Sequence, residues 1–497
     1  MSRYLRILPI LLLAILLPAS RGMGQTRPRL ITLEDALEIA RKQSPDALNS
    51  KQQFRESFWE YKSFRGTYLP QIGVTATIPN LNRAITKYTN PNGTEGYVTQ
   101  EYVSYTGNLS VSQRIGWTGG TVFLNSGLQR IDNLGDSLYT SYLSTPVNIG
   151  YSQPIFTFNP YRWDRKIEPM KYNEAKRKYL EDVEQISITT TNYFFDLLEA
   201  QVEKEIAQTN LANYDTLYRI AKGRYELGKI AENDLLGLEL DFLEAQAAVE
   251  NANLGLDNAL FRFRSYLRLK DTTAIQLVPP VNINFFPIDA TSAIDHAEKN
   301  SSTAIDFQRR LLEAQRDVRQ AKMENRFDAQ LTAVFGLTQT AATLPESYNN
   351  PMDQQQVSLG LSIPIVDWGV SRGKIKMAES QQEIVKNAVE QEIIDFKRNV
   401  YLKVVQFNMQ KNQLMIASKS DTVARKTYDV TKSRYLIGKI NSILDLNNAQ
   451  IKADDARKNF YAALQTYWRS YFEIRKMTLF DFSNNLPLSF QFEDVRP

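Results

Sequence analysis

The chain has 497 residues, no cysteine and one histidine, and its 59 Lys and Arg nearly balance its 55 Asp and Glu. That composition excludes disulfide scaffolds, thiol nucleophiles and Cys-ligated metal centres. It also lacks the basic excess of a nucleic-acid binder. Imidazole chemistry would have to run through His296 alone, and no second histidine or cysteine could join it at a metal, so no metal site is expected.

The chain opens on an address. Arg3 and Arg6 form a basic start, Leu5 to Leu17 is apolar apart from Arg6 and Pro9, and Gly22-Met23-Gly24 offers small residues for cleavage before Gln25. Residues 1–24 therefore read as a signal peptide, too short for the ~20 apolar residues of a spanning helix. Its removal takes away three arginines and no acid, and without cysteine no lipid anchor can replace it. No later stretch is apolar for long enough to span as a helix, so a membrane could be crossed only by a β-barrel.

Residues 25–279 form a first unit. Thr32 with Asp35 three residues on predicts a capped helix start. A β-segment follows at about 70–156. Ile72, Val74, Ala76 and Ile78 alternate with Gln71, Gly73, Thr75 and Thr77, and Val147, Ile149 and Tyr151 alternate with Asn148, Gly150 and Ser152. Strands of ~8–10 residues with one apolar and one small-polar face suit an outer-membrane barrel, although a soluble sandwich gives the same alternation. Tyr151, Phe156, Phe158, Tyr161 and Trp163 cluster at one strand end, as an interfacial belt would. A further pair, near Tyr105–Ile115 and Thr121–Arg130, could enlarge the barrel or stand outside the cell. From Arg162 to Arg224 the chain suits one helix of ~95 Å. Gly228 then predicts a reversal at Arg224–Ile230. The returning helix carries a heptad seam of Leu235, Leu238, Phe242, Ala245, Val249, Ala252, Leu256, Ala259 and Phe263.

Residues 280–480 repeat the plan. A helix runs from Ala290-Thr291-Ser292 towards Phe327 and holds His296, read as a structural histidine. A shorter β-segment, at about 328–366, alternates through Leu331, Ala333, Phe335 and Leu337, then Val357, Leu359, Leu361 and Ile363, with Trp368 beyond it. The second tip, Arg434–Ile440, lies 210 residues after the first, and both read Arg-Tyr-x-x-Gly-Lys-Ile. A second seam descends from Leu446 through Ala449, Ala453, Ala456, Phe460, Ala463, Tyr467 and Ser470 to Ile474, and residues 481–497 form an extended tail. The N-terminal helices align at an offset of 257, so the first β-segment is 47 residues longer than the second. Four strands per chain cannot close a membrane barrel, whose minimum is eight. The chain must oligomerise, and three copies would supply twelve.

Leu33-Glu-Asp-Ala-Leu37, the two strand–Pro–Ile boundaries, Asp367-Trp-Gly369, the duplicated tip motif and Asn448-Ala-Gln450 together resemble the TolC-type outer-membrane efflux protein family. The resemblance spans nearly the whole chain. It implies an α+β membrane protein: a homotrimer in outer-membrane lipid, with a shared twelve-stranded barrel continuous with a periplasmic coiled-coil tunnel. The tips would meet a periplasmic adaptor linked to an inner-membrane transporter, and the resemblance implies no enzyme activity and no cofactor. A passive porin or a periplasmic coiled-coil scaffold are the alternatives. The resemblance also makes Asp234 and Asp445 candidates for an acidic periplasmic aperture. Arg224, Tyr225, Gly228, Lys229, Arg434, Tyr435, Gly438 and Lys439 become candidate adaptor-facing residues. Asn447 and Asn448 stand where the family often has a second acid.

Overall fold

The computed structural model describes residues 28–89, 91, 93–135, 138–270, 274–439 and 443–489. The expected leader at 1–24 and the end of the tail, 490–497, lie outside the described residues, as does Ile440 of the second tip. Among the described residues no helix is long and apolar enough to cross a membrane.

Each half begins with a broken helix. In the first, α1 (Leu33–Gln43) and α2 (Pro45–Gly66) meet at Ser44; in the second, α5 (Ala290–Asn300) and α6 (Ser302–Glu324) meet at Ser301. Both serines are buried, and each closes one helix while its hydroxyl accepts from an amide of the next, Ala47 or Ala304. This is the dual role that makes serine a good cap and a poor helix interior. The reciprocal Thr32–Asp35 box forms as expected, at 3.0 and 3.2 Å.

Between the broken helices and the long ones stands one antiparallel sheet. Its strands are β2 (Gln71–Thr89), β3 (Glu95–Arg114), β4 (Thr121–Asn133), β5 (Tyr139–Ile155), β7 (Asp328–Ala341) and β8 (Met352–Ser362), in the order β2-β3-β4-β5-β7-β8. The strands exceed the expected length, and the sheet holds six of them rather than four. The reason is register. Val111 of β3 lies opposite Ile72 and Leu124, and Leu124 lies opposite Ile149, which faces Phe335. One apolar row therefore crosses five strands without interruption. The next row, Ser110, Asn125, Asn148, Gly336 and Gln354, is polar or small and points to the other face. Among the described residues nothing covers the apolar face: Ile72 is 72% exposed and Ile149 57%. A sandwich would bury that face against a second sheet.

The turn between β3 and β4, Ile115 to Gly120, sits at the helical end of the sheet. The Asn159 side-chain amide, capping the next helix, donates to the Gly116 carbonyl at 3.3 Å. The Tyr68 ring passes so close that a Cβ on Gly116 would stand 2.7 Å from it.

From this end run α3 (Pro160–Glu226) and α7 (Val370–Leu436), each 67 residues, or about 100 Å. Pro160 opens α3 at a position that needs no amide donor, and Pro169 lies inside the helix, which thus begins ahead of the proline-free stretch. The returning helices α4 (Glu232–Leu267) and α8 (Ile443–Thr478) have 36 residues each. α3 and α8 pack together, α4 lies against α3 and α7 against α8, so α4 and α7 are the outer members of an open arc. Every residue of both expected seams is buried or half-buried.

Midway, a belt gathers the helices. A parallel pair, β1 (Arg29–Ile31) with β6 (Ile275–Leu277), closes over a core containing Phe194, Phe195, Phe263, Leu267 and Leu464. Glu184 is buried there with Arg475 at 3.0 Å, and Arg475 also holds Asp481 at 3.1 Å. The start of the expected tail, with Phe480 before it, folds back as β9 (Phe480–Asp481) and β10 (Leu486–Pro487). The ring of His296, on α5, stacks on Phe480 with centroids 3.9 Å apart, a structural place.

Candidate functional site: the hairpin tips

The two tips are built alike. At the first, the Lys229 amide donates to the Arg224 carbonyl at 2.9 Å and the Gly228 amide to Tyr225 at 2.8 Å; at the second, Lys439 donates to Arg434 and Gly438 to Tyr435, both at 3.0 Å. This is the Schellman closure, which needs a left-handed residue after the helix. Gly228 and Gly438 supply it, both at φ +72°.

The side chains then break the symmetry. Arg224 turns towards the other hairpin and donates to the carbonyls of Tyr435 and Leu436 at 3.3 and 3.2 Å, its guanidinium 5.4 Å from the Tyr435 ring centroid. These are end-of-helix carbonyls of α7, where a cation is favoured. Tyr435 is 2% exposed, in a cluster with Leu217, Ala221, Leu238 and Leu446, whereas its counterpart Tyr225 is 40% exposed. Burial pushes the Tyr435 phenol above its ordinary range; Arg224 opposes the shift and Asp234 adds to it. Asp234 is half-buried, while Asp445 is exposed in the first turn of α8. Of the candidate adaptor-facing residues, Arg224 and Tyr435 face inward. Tyr225, Gly228, Lys229, Arg434, Gly438 and Lys439 are exposed.

Above the tips, polar side chains tie the first hairpin to the second. The Tyr214 hydroxyl donates to Asn447 at 3.3 Å, and the Asn447 amide donates to Asp241 at 2.9 Å. Asn213 donates to the Tyr428 hydroxyl at 3.0 Å and accepts from Lys432 at 2.5 Å, and Asn210 donates to Asp454 at 2.8 Å. Burial, with Asp241 next, pushes the Tyr214 phenol above its ordinary range, and burial pushes Tyr428 up to about 12. So the amide at 447 accepts and donates at once, which a carboxylate could not do. Asn213, Tyr214, Asp241, Lys432 and Asp454 escaped the sequence reading. A signal existed: Asn210, Asn213, Tyr214, Leu217 and Ala221 share one face of α3 by helical spacing.

The family profile described as outer membrane efflux protein matches residues 119–267 and 294–478, about two-thirds of the chain. The chain belongs to the outer membrane efflux protein family. It is therefore an outer-membrane channel with a periplasmic helical extension, and not an enzyme. The first match begins in the turn before β4 and leaves out β2 and β3. Three solved channels share the fold. The CmeC outer membrane channel of Campylobacter jejuni aligns with a TM-score of 0.63 at 15% identity, over 93% of this chain and 88% of that one. VceC of Vibrio cholerae aligns at 0.61 and 11%, over 92% and 97%. The open state of the MtrE outer membrane channel of Neisseria gonorrhoeae aligns at 0.60 and 13%, over 90% and 88%. Among curated proteins none matches the chain.

Proposed function

We propose that three copies of this chain form an export duct that receives substrates from an inner-membrane pump through a periplasmic adaptor. The observation that carries the reading is the pair of open edges on each copy. The outer helix α4 bears a second apolar stripe, Leu236, Leu240, Leu243, Leu254 and Phe261, and all five side chains are exposed. The opposite outer helix, α7, bears Val405, Met409, Ile416, Val423 and Val430, also exposed. Both stripes keep heptad spacing. An α4 of one copy against an α7 of the next would bury them and close a ring of helices.

The test is to extract the protein from outer membranes and measure its mass, wild type against Leu240→Asp with Val423→Asp. The expected result is a trimer for the wild type and its dissociation in the variant, with helix content kept. A stable wild-type monomer that still conducts would overturn the reading.

The Tyr214–Asn447–Asp241 and Asn213–Tyr428 contacts hold the two hairpins of one copy together near the tips. They are the natural place for a closed state to be held, since opening the tips must part or slide these helices. Asp445, exposed near the tip, would form an acidic ring in the trimer, where carboxylate proximity attracts cations. Asp445→Asn should relieve cation block of single channels, and an unchanged block would remove the ring. Crosslinking at the exposed Lys229 and Lys439 should capture a periplasmic adaptor. Conductance indifferent to all tip changes would instead favour a passive porin.

A further inference from the structure

We infer that the trimer's barrel has eighteen strands, six from each copy, and that its lumen is correspondingly wide. The inference rests on the trimeric reading above. The family resemblance implies four strands per chain; this chain places six in one continuous sheet. The extra hairpin, β3 with β4, is flanked by β2 and β5, pairs with both over many residues, and turns back at the helical end of the sheet where every other strand meets a helix. It therefore crosses at the same level as the rest. Eleven residues, the length of β8, rise about 28 Å when tilted by ~40°, enough for the ~25 Å apolar band of a membrane barrel.

The free edges fit a second copy of the chain. β2 follows α2 and runs away from the helices, and β8 runs back into α7, so β2 of one copy and β8 of the next would pair antiparallel. An even strand number is what permits this. From Gln354 to Ser362, β8 carries no charge and no proline, and neither does β2 from Gln71 to Ile78. Edges so unguarded are normally paired.

The widths also agree. Four helix ends meet the sheet in each copy, those of α2, α3, α6 and α7. At up to ~10 Å apart they span an arc of about 40 Å. Six strands at ~4.8 Å and ~40° tilt span about 38 Å, four only about 25 Å. An eighteen-stranded barrel would measure about 36 Å between backbones, leaving room for cargo as wide as a helical hairpin, about 20 Å.

The absence of cysteine makes the test clean. Single variants Leu124→Cys, in the apolar row, and Asn125→Cys, in the polar row, are reconstituted into lipid vesicles and treated with a membrane-impermeant maleimide. Val74→Cys with Leu359→Cys is oxidised to seek covalent links between copies. The expected result is Asn125→Cys labelled, Leu124→Cys labelled only by a lipid-soluble maleimide, and covalent trimers from the double variant. Polyethylene glycol added on the extracellular side should enter the barrel up to a diameter of about 20 Å. A trimeric mass with any other labelling pattern overturns the eighteen strands and leaves the trimer standing. A monomeric mass without crosslinks overturns the trimeric reading itself.

Discussion

The two halves of the chain agree in their helices and differ in their strands and tips. The paired helices have 11 and 11, 22 and 23, 67 and 67, and 36 and 36 residues, yet the first half gives four strands to the sheet and the second gives two. Helix length is therefore the constrained quantity and strand number the free one. A long helix is held at both ends, by the sheet junction above and the Schellman turn below, and along its length by a seam. Changing its length by a few residues would rotate the seam away from its partner. A sheet grows by hairpins, and one more hairpin preserves the direction of both edges. The tips obey a second rule: backbone closure is duplicated because each hairpin must reverse, while side chains diverge because one copy of Tyr435 and Arg224 suffices to join them.

Four experiments measure how far the two halves differ. Tyr435→Ala should cost about 3–5 kcal/mol, as loss of a buried aromatic does, whereas Tyr225→Ala should stay within about 0.5 kcal/mol. Hydrogen exchange of the amides at 430–439 reads the difference, and equal effects would show the tips to be equivalent after all. Arg224→Ala should weaken the same amides by about 1–2 kcal/mol, the scale of hydrogen bonds from a charged donor, and Arg434→Ala should leave them unchanged. Gly228→Ala and Gly438→Ala should each cost about 1 kcal/mol for the left-handed backbone. Here the two halves should respond alike.

The smallest effect concerns the helix starts. The Thr32 amide and hydroxyl hold the Asp35 carboxyl below its ordinary value of 3.8. A depressed folded pKa means stability that is present above that value and lost as the pH falls through the folded one. The α1 amides should therefore exchange faster below about pH 4, and Asp35→Asn should remove that acid dependence. The second half starts α5 differently: Asp289 itself is the cap and accepts from the Ser292 amide at 2.7 Å.

Much of the candidate site was legible beforehand. Gly228 and Gly438 marked the reversals, because only a left-handed residue closes them. Position in the chain singles out Asp234 and Asp445 as candidates, but it does not tell that one is half-buried and the other exposed. Nothing in the duplicated motif tells that Arg224 reaches across to the Tyr435 carbonyl while Arg434 stays in solvent. The Tyr214–Asn447–Asp241 chain was hidden for the same reason: its members are 206 and 233 residues apart.

The repeat, the long helices, their seams, their tips and the two-faced strands can all be read from the order of residues. These are local properties, written in periodicity and in the few residues that can stop a helix. Long-range packing sets how many strands share one sheet, which tyrosine of the pair is buried, and which stripes of α4 and α7 stay uncovered by the described residues. Alternation says that a strand has two faces and does not name its neighbour. Neighbours are chosen by register across long separations in the chain, and that choice made the extra hairpin part of the sheet.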